Sequence, residues 1–85
     1  MSYECQWMPS AESALEEILH SAAEPAKLAQ SLKKLEQEIV ADPLAVGESR
    51  GHDLERIAFT EGVAILFYVK ANEPTVVVYG VWRTH

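Results

Sequence analysis

The sequence has little cysteine, few cations and no long apolar run. Cys5 is its one cysteine. An intrachain disulfide is therefore excluded, and so is a cysteine-built zinc site. The histidines, His20, His52 and His85, share no metal-ligand spacing with Cys5 or with each other, so no metal and no cofactor is expected. No apolar stretch approaches the roughly 18 residues of a membrane span, and no signal-peptide pattern opens the chain. A soluble cytoplasmic domain without membrane contact is the expectation. No phosphate-cradling glycine loop, catalytic triad spacing or paired-acid site is visible.

Cations are scarce and unevenly placed. The net charge of −6 sits entirely in residues 1–49, which hold nine acids against three lysines. Residues 50–85 hold four acids and four bases, Arg50, Arg56, Lys70 and Arg83. A general nucleic-acid binder needs a basic footprint to release counterions. The chain as a whole lacks one, so any nucleic-acid contact has to be local and on the second half.

What is present is a foldable pattern. Eighty-five residues make one domain, 1–85, small enough to bury only about 60–65% of its unfolded surface. Residues 3–8, YECQWM, alternate as a half-buried edge strand. Pro9 stops that strand, and Ser10 is the expected N-cap of a first helix. Ala11, Ala14, Leu15, Ile18, Leu19 and Ala22 share one face of it. Pro25 restarts a second helix. Leu28, Leu32, Leu35 and Ile39 give that helix a buried stripe, and Asp42-Pro43 ends it. The short break at 23–25 makes the two an antiparallel hairpin. Residues 44–53 read as a loop.

Residues 54–83 hold three β-rich runs broken at Glu61-Gly62 and at Asn72-Glu73-Pro74, the pattern of a three-stranded meander. Alternation along the chain puts Ile57, Phe59, Val63, Ile65, Phe67, Val69, Val76, Val78, Gly80 and Trp82 under the helices. It puts Arg56, Ala58, Thr60, Ala64, Leu66, Tyr68, Lys70, Thr75, Val77, Tyr79, Val81, Arg83 and His85 on the other face. That second face is apolar at its centre, which points to a protein partner or a homodimer through the open sheet. Cover by the N-terminal strand or the loop is the alternative. Trp7 and Trp82 read as core anchors.

The order of elements resembles the RelE/ParE toxin superfamily of type II toxin–antitoxin and plasmid-stabilisation systems. The residues that carry the likeness are the strand at 3–7, Leu32-x-x-Leu35-x-x-x-Ile39, Asp42-Pro43-Leu44, Gly47-x-x-Arg50-Gly51, Arg56-Ile57, and the runs 64–69 and 76–83. The likeness spans nearly the whole chain and lies in the ordered combination. It implies an α+β fold, β-α-α-β-β-β, with an antiparallel sheet and a helical hairpin packed on one face. It also implies a cognate antitoxin as partner. For RelE-like members it implies metal-independent cleavage of messenger RNA on the ribosome, and for ParE-like members inhibition of DNA gyrase.

Carried to this sequence, the resemblance makes Arg56, Arg83 and His85 the catalytic candidates. Arg50, His52, Tyr68 and Tyr79 become candidates for RNA or partner binding. Ala58 and Ala64 stand where the family places further basic residues. Metal-free cleavage needs cations for the developing charge and an acid–base pair, and one such donor is worth about 10²–10³ in rate. Three readings follow: an mRNA interferase or a weakened relative, a non-catalytic interaction module on the same fold, and a gyrase inhibitor.

Overall fold

Proline placement starts both helices. The computed structural model describes residues 3–51, 54–70 and 72–84. Helix α1 spans Pro9–Ser21 and α2 spans Pro25–Ala41, each with proline in its first turn, where the missing N–H forfeits no intrahelical bond. The cap of α1 is Met8 rather than the expected Ser10. The extended Met8 backbone leads directly into Pro9, and its carbonyl accepts from the N–H groups of Ala11 and Glu12 at 2.9 and 3.0 Å. Helix α2 stops where expected, before Asp42-Pro43. Leu28, Leu32, Leu35 and Ile39 are all buried, so the spacing of four, three and four delivers one core stripe.

The sheet has five strands: β1 (Glu4–Trp7), β2 (Glu48–Ser49), β3 (Glu55–Thr60), β4 (Val63–Lys70) and β5 (Thr75–Arg83). Their spatial order is β1-β5-β4-β3-β2. The meander β3-β4-β5 and the edge position of β1 are as expected. Two features differ from expectation. Strand β1 pairs with β5 in parallel, so the sheet is mixed; the helical hairpin carries the chain back to the end at which β5 starts. The loop at 44–53 also contains β2, which pairs antiparallel with β3. Gly47 makes that edge possible. Its φ is +73°, and a Cβ there would collide with the backbone carbonyl of Ile57.

Both helices lie on one face, over Ala58, Val63, Ile65, Phe67, Val69, Val76, Val78 and Val81. Two corrections to the face assignment follow. Residues 61–62 form a two-residue turn with both φ values positive, 49° at Glu61 and 75° at Gly62, and Thr60 pairs with Val63. Partners in an antiparallel pair point the same way, so alternation does not run straight through such a turn. Arg56 and Ala58 therefore face the helices, opposite Phe67 and Ile65. Ile57 and Phe59 face away. In β5 a bulge falls between the pairs Phe67–Val78 and Leu66–Gly80, leaving Tyr79 as the extra residue. A bulge shifts the phase by one. Val81 and Arg83 turn toward the helices, and Trp82, expected in the core, is 40% exposed on the open face.

One polar tie joins β1 to α2. The Trp7 indole N–H donates to Glu36 at 2.7 Å. Cys5 lies beside the same carboxylate; burial, then the Glu36 charge and hydrogen bond, push its thiol from 9.0 up to about 12.

Two stability predictions come from this frame. Gly47→Ala is expected to destabilise by about 1–3 kcal/mol through strain and collision. Gly51→Ala, with positive φ but open space around it, is expected to cost about 1 kcal/mol; equal urea midpoints for the two would contradict the close approach. Cys5 is an acid whose folded pKa is raised. Its stabilising contribution is full below about 9 and is lost as pH rises toward about 12. Cys5→Ala should show a shallower loss of stability across that window than the parent chain.

Candidate functional site on the open sheet face

The face away from the helices is built from one residue in two along each strand. Register places Gln6, Val77, Tyr68, Glu55 and Arg50 in one row across the five strands. Arg50 enters that row because its N–H donates to the Glu55 carbonyl at 2.6 Å, one step beyond the pair Ser49–Arg56. A second row runs Gly80, Leu66, Ile57 and Glu48, and a third runs Trp82, Ala64 and Phe59. Gly80 leaves room for the Leu66 side chain, which a Cβ there would meet at 3.2 Å.

Aromatic groups dominate this face. The rings of Tyr68 and Tyr79 are 5.7 Å apart and tilted by 42°, within the range of favourable ring pairs. Phe59 is 58% exposed. Together with Trp82 it flanks the buried Ala64. Tyr79 titrates above its usual value; burial is the first cause and the Glu55 carboxylate the second, while the Arg50 cation draws it back down. Those two charges therefore act on the Tyr79 hydroxyl, which joins Arg50, Glu55, Tyr68 and Tyr79 into one cluster. The charges are mixed: Glu4, Glu48 and Glu55 against Arg50 and Lys70.

The residues expected to carry function fall into three groups. Arg50, Tyr68 and Tyr79 come together on the open face. Arg56 and Arg83 share a face, but it is the helix face, not the open one expected. Arg56 is 9% exposed; its Nε donates to the Val46 carbonyl at 2.8 Å and its Nη2 to the Gly47 carbonyl at 3.0 Å. Arg83 Nη2 donates to the Ile18 carbonyl at 3.3 Å and to Ser21 Oγ at 3.1 Å, where the last turn of α1 favours a cation. His52 and His85 lie outside the described residues. Among the described residues no group of three His, Cys, Asp or Glu side chains is placed to hold a metal ion, and no helix is long and apolar enough to cross a membrane.

Sequence reasoning missed Glu55, Phe59 and Trp82. Pairing Thr60 with Val63 across a two-residue turn would have placed Glu55 opposite Tyr68 and Phe59 opposite Ala64. Nothing in the sequence marks the bulge that turns Trp82 outward. The cluster makes a spectroscopic prediction. Glu55→Gln should lower the Tyr79 titration and Arg50→Ala should raise it, read as tyrosinate absorbance against a Tyr79→Phe control. A titration indifferent to both would dissolve the cluster.

No protein-family model and no curated protein sequence matches the chain. Solved structures do. A chain of the RelBE2 toxin–antitoxin complex from Mycobacterium tuberculosis superposes with a TM-score of 0.78 at 19% identity, covering 98% of this chain and 99% of that one. A chain of the chromosomal ParDE toxin–antitoxin system from P. aeruginosa gives 0.77 at 15% identity, covering 99% and 98%. The isolated RelE toxin from E. coli gives 0.72 at 20% identity, covering 99% and 86%. With two helices on one face of a five-stranded sheet, the chain has the α+β fold seen in RelE and ParE toxin–antitoxin structures.

Proposed function

We propose that this protein is the toxin component of a type II toxin–antitoxin pair in the cytoplasm, and that its open sheet face meets its target by protein–protein contact. The observation that supports this reading is the likeness to toxin–antitoxin structures over nearly the full length of the chain. The character of the face supports the mode. Trp, Tyr and Arg are the residues that most often dominate binding energy, and Trp82, Tyr68, Tyr79 and Arg50 stand on it. Three carboxylates among its charges oppose a polyanion. Arg56 and Arg83 already donate to carbonyls on the helix side, so they add little positive potential to it. A cognate antitoxin is the regulatory partner, and gyrase is one target compatible with such a surface.

A second reading keeps messenger RNA as substrate, and the Arg50–Glu55–Tyr68–Tyr79 cluster favours it. Glu55 would take the proton from the attacking 2′-hydroxyl, and Arg50 would stabilise the charge developing on the phosphate. A phenol of the pair would protonate the leaving oxygen.

Regulated expression in bacteria tests both. The first reading expects growth arrest with messages intact, relieved by the neighbouring gene's product and by Trp82→Asp, with circular dichroism showing that the variant still folds. Arrest accompanied by message loss, abolished by Glu55→Gln, transfers the case to the second reading. Growth unaffected at high expression overturns both and leaves a non-catalytic interaction module.

A further inference from the structure

Down the middle of the open face, side chains shrink toward the β3–β4 turn: Leu66, then Ala64, then Gly62. Phe59 and Trp82 stand on either side of Ala64 in one row. Ala64 is fully buried, whereas its two neighbours are among the exposed large apolar groups. The result is a trough with two aromatic walls and a small floor. Leu66 closes one end, its side chain lying against the bare backbone of Gly80. The other end runs out over Gly62, whose carbonyl accepts from the N–H and the hydroxyl of Thr84 at 2.9 and 3.1 Å.

The width suits one flat group. Neighbouring strands lie about 4.8 Å apart, so the walls rise from backbones about 10 Å apart. A planar group in contact with a ring on each side, at about 3.5–4.0 Å, needs ring planes about 7–8 Å apart. A modest inward lean of the two side chains supplies that.

The nearby charge favours a cation. Among the described residues of the open face, the first charge met from the trough is Glu48, which stands one row away, opposite Ile57. Arg50 and Lys70 stand two and three rows away, about 13 and 20 Å along the strands. Round the β3 edge, Glu38 and Glu61 border the hollow behind Phe59, with Lys34 between them. Arg83, next to Trp82, points to the helices and donates to Ile18 and Ser21.

We infer that the Phe59–Ala64–Trp82 trough takes one arginine side chain of a partner protein, its guanidinium stacked between the two rings. Arginine is the cation that is flat, and it stacks on aromatic faces while keeping its charge. This deepens the proposed function and rests on it for calling that partner the target. A nucleobase is flat as well, but it would bring its phosphates toward Glu48.

The probe is N-acetyl-arginine amide, titrated into the isotope-labelled full chain and followed by nuclear magnetic resonance. Two indole N–H signals report. Trp82 stands at the trough, and Trp7, which donates to Glu36 on the helical side, is the internal reference. Trp82→Phe, which keeps an aromatic wall, tells the two signals apart. The arginine derivative is expected to move the Trp82 signal to saturation and to leave Trp7 still. The lysine derivative keeps the charge without the plane, and the citrulline derivative keeps the plane without the charge. Each is expected to bind about three- to tenfold more weakly. Phe59→Ala should weaken the arginine derivative by about two- to fivefold. Glu48→Gln should narrow its advantage over citrulline, as should added salt. Phe59 and Glu48 are both exposed, so neither variant disturbs the core.

Equal response to the three derivatives, absence of saturation, or binding unchanged in Phe59→Ala overturns the inference. Tighter binding of adenosine monophosphate than of the arginine derivative makes the trough a base-stacking site and overturns it too. So does a Trp82 signal that moves on dilution alone, which would place a second copy of the chain there. The growth experiment remains separate. A harmless chain that still prefers the arginine derivative removes the toxin reading and leaves the trough; growth arrest relieved by Trp82→Asp, without that preference, removes the trough alone.

Discussion

A side chain on a strand can point to only one of two faces, and two short backbone features decide that choice for this protein. The turn at Glu61-Gly62 couples β3 to β4 through the pair Thr60–Val63. The bulge at Tyr79 resets β5 halfway along its length. Between them they assign the faces of the meander. Most of its valines, with Ile65 and Phe67, go under the helices. Phe59, Tyr68, Tyr79 and Trp82 go to the open side. Either feature shifted by one residue would exchange residues between the two sets, and loss of the bulge would bury Trp82 and expose Val81. The turn holds although Glu61 is a poor residue for positive φ. The burial of Val63, Ile65 and Phe67 on β4 selects the register against that local cost.

The same phase determines what the arginines do. On the open face, Arg56 and Arg83 would have made a cationic pair. On the helix face each becomes a clamp between elements, Arg56 buried and Arg83 exposed. Arg56 fastens the loop before β2 through two carbonyls, and Arg83 fastens the end of α1. Charge-assisted bonds such as those of the buried Arg56 are worth about 1.5–3 kcal/mol. In so small a domain that is a sizeable fraction of total stability. The positive charge thus serves architecture. The open face is left aromatic with mixed charge, the feature on which the proposed protein contact rests.

How much of this is legible in the sequence follows from the range of the forces involved. Helix α2 is legible to the residue, because Pro25, a leucine stripe and Asp42-Pro43 are all local signals. The meander and the edge position of β1 are legible from alternation. Strand β2 is not, since two residues carry no period; only Gly47, where the backbone passes against Ile57, hints at it. The outward aromatic set is illegible for a different reason. Alternation gives faces within a strand, but relating one strand to the next needs the turn geometry, and relating the two halves of β5 needs the bulge. Tyr68 and Tyr79 keep the face that alternation gives them, because neither lies beyond a break. Arg56 and Arg83 lie on the far side of one break each, and both change face.

The two layers also divide the charge, and under the proposed function this bears on how a regulator and a target would share one small domain. Helix α1 carries Glu12, Glu16 and Glu17 with no lysine or arginine, whereas the three lysines of α2 outnumber its two glutamates, so the acidic charge of the helical layer is concentrated on α1. A basic partner would be steered toward that helix at long range, where unscreened charge sets encounter. A target held by aromatic anchors on the sheet would be recognised only at contact, where burial of Phe59 and Trp82 would supply the energy. Steering and holding then act on opposite surfaces. A partner on the helices does not block the sheet by occupancy. Release of the sheet from its target would instead require the partner to reach around an edge of the sheet. The two edges are unlike. Strand β1 is tied down by Trp7 and Glu36, whereas β2 is two residues long and the loop before it is fastened by Arg56. The β2 edge is thus the shorter of the two, and a chain passing it would come directly to Arg50 and Glu55.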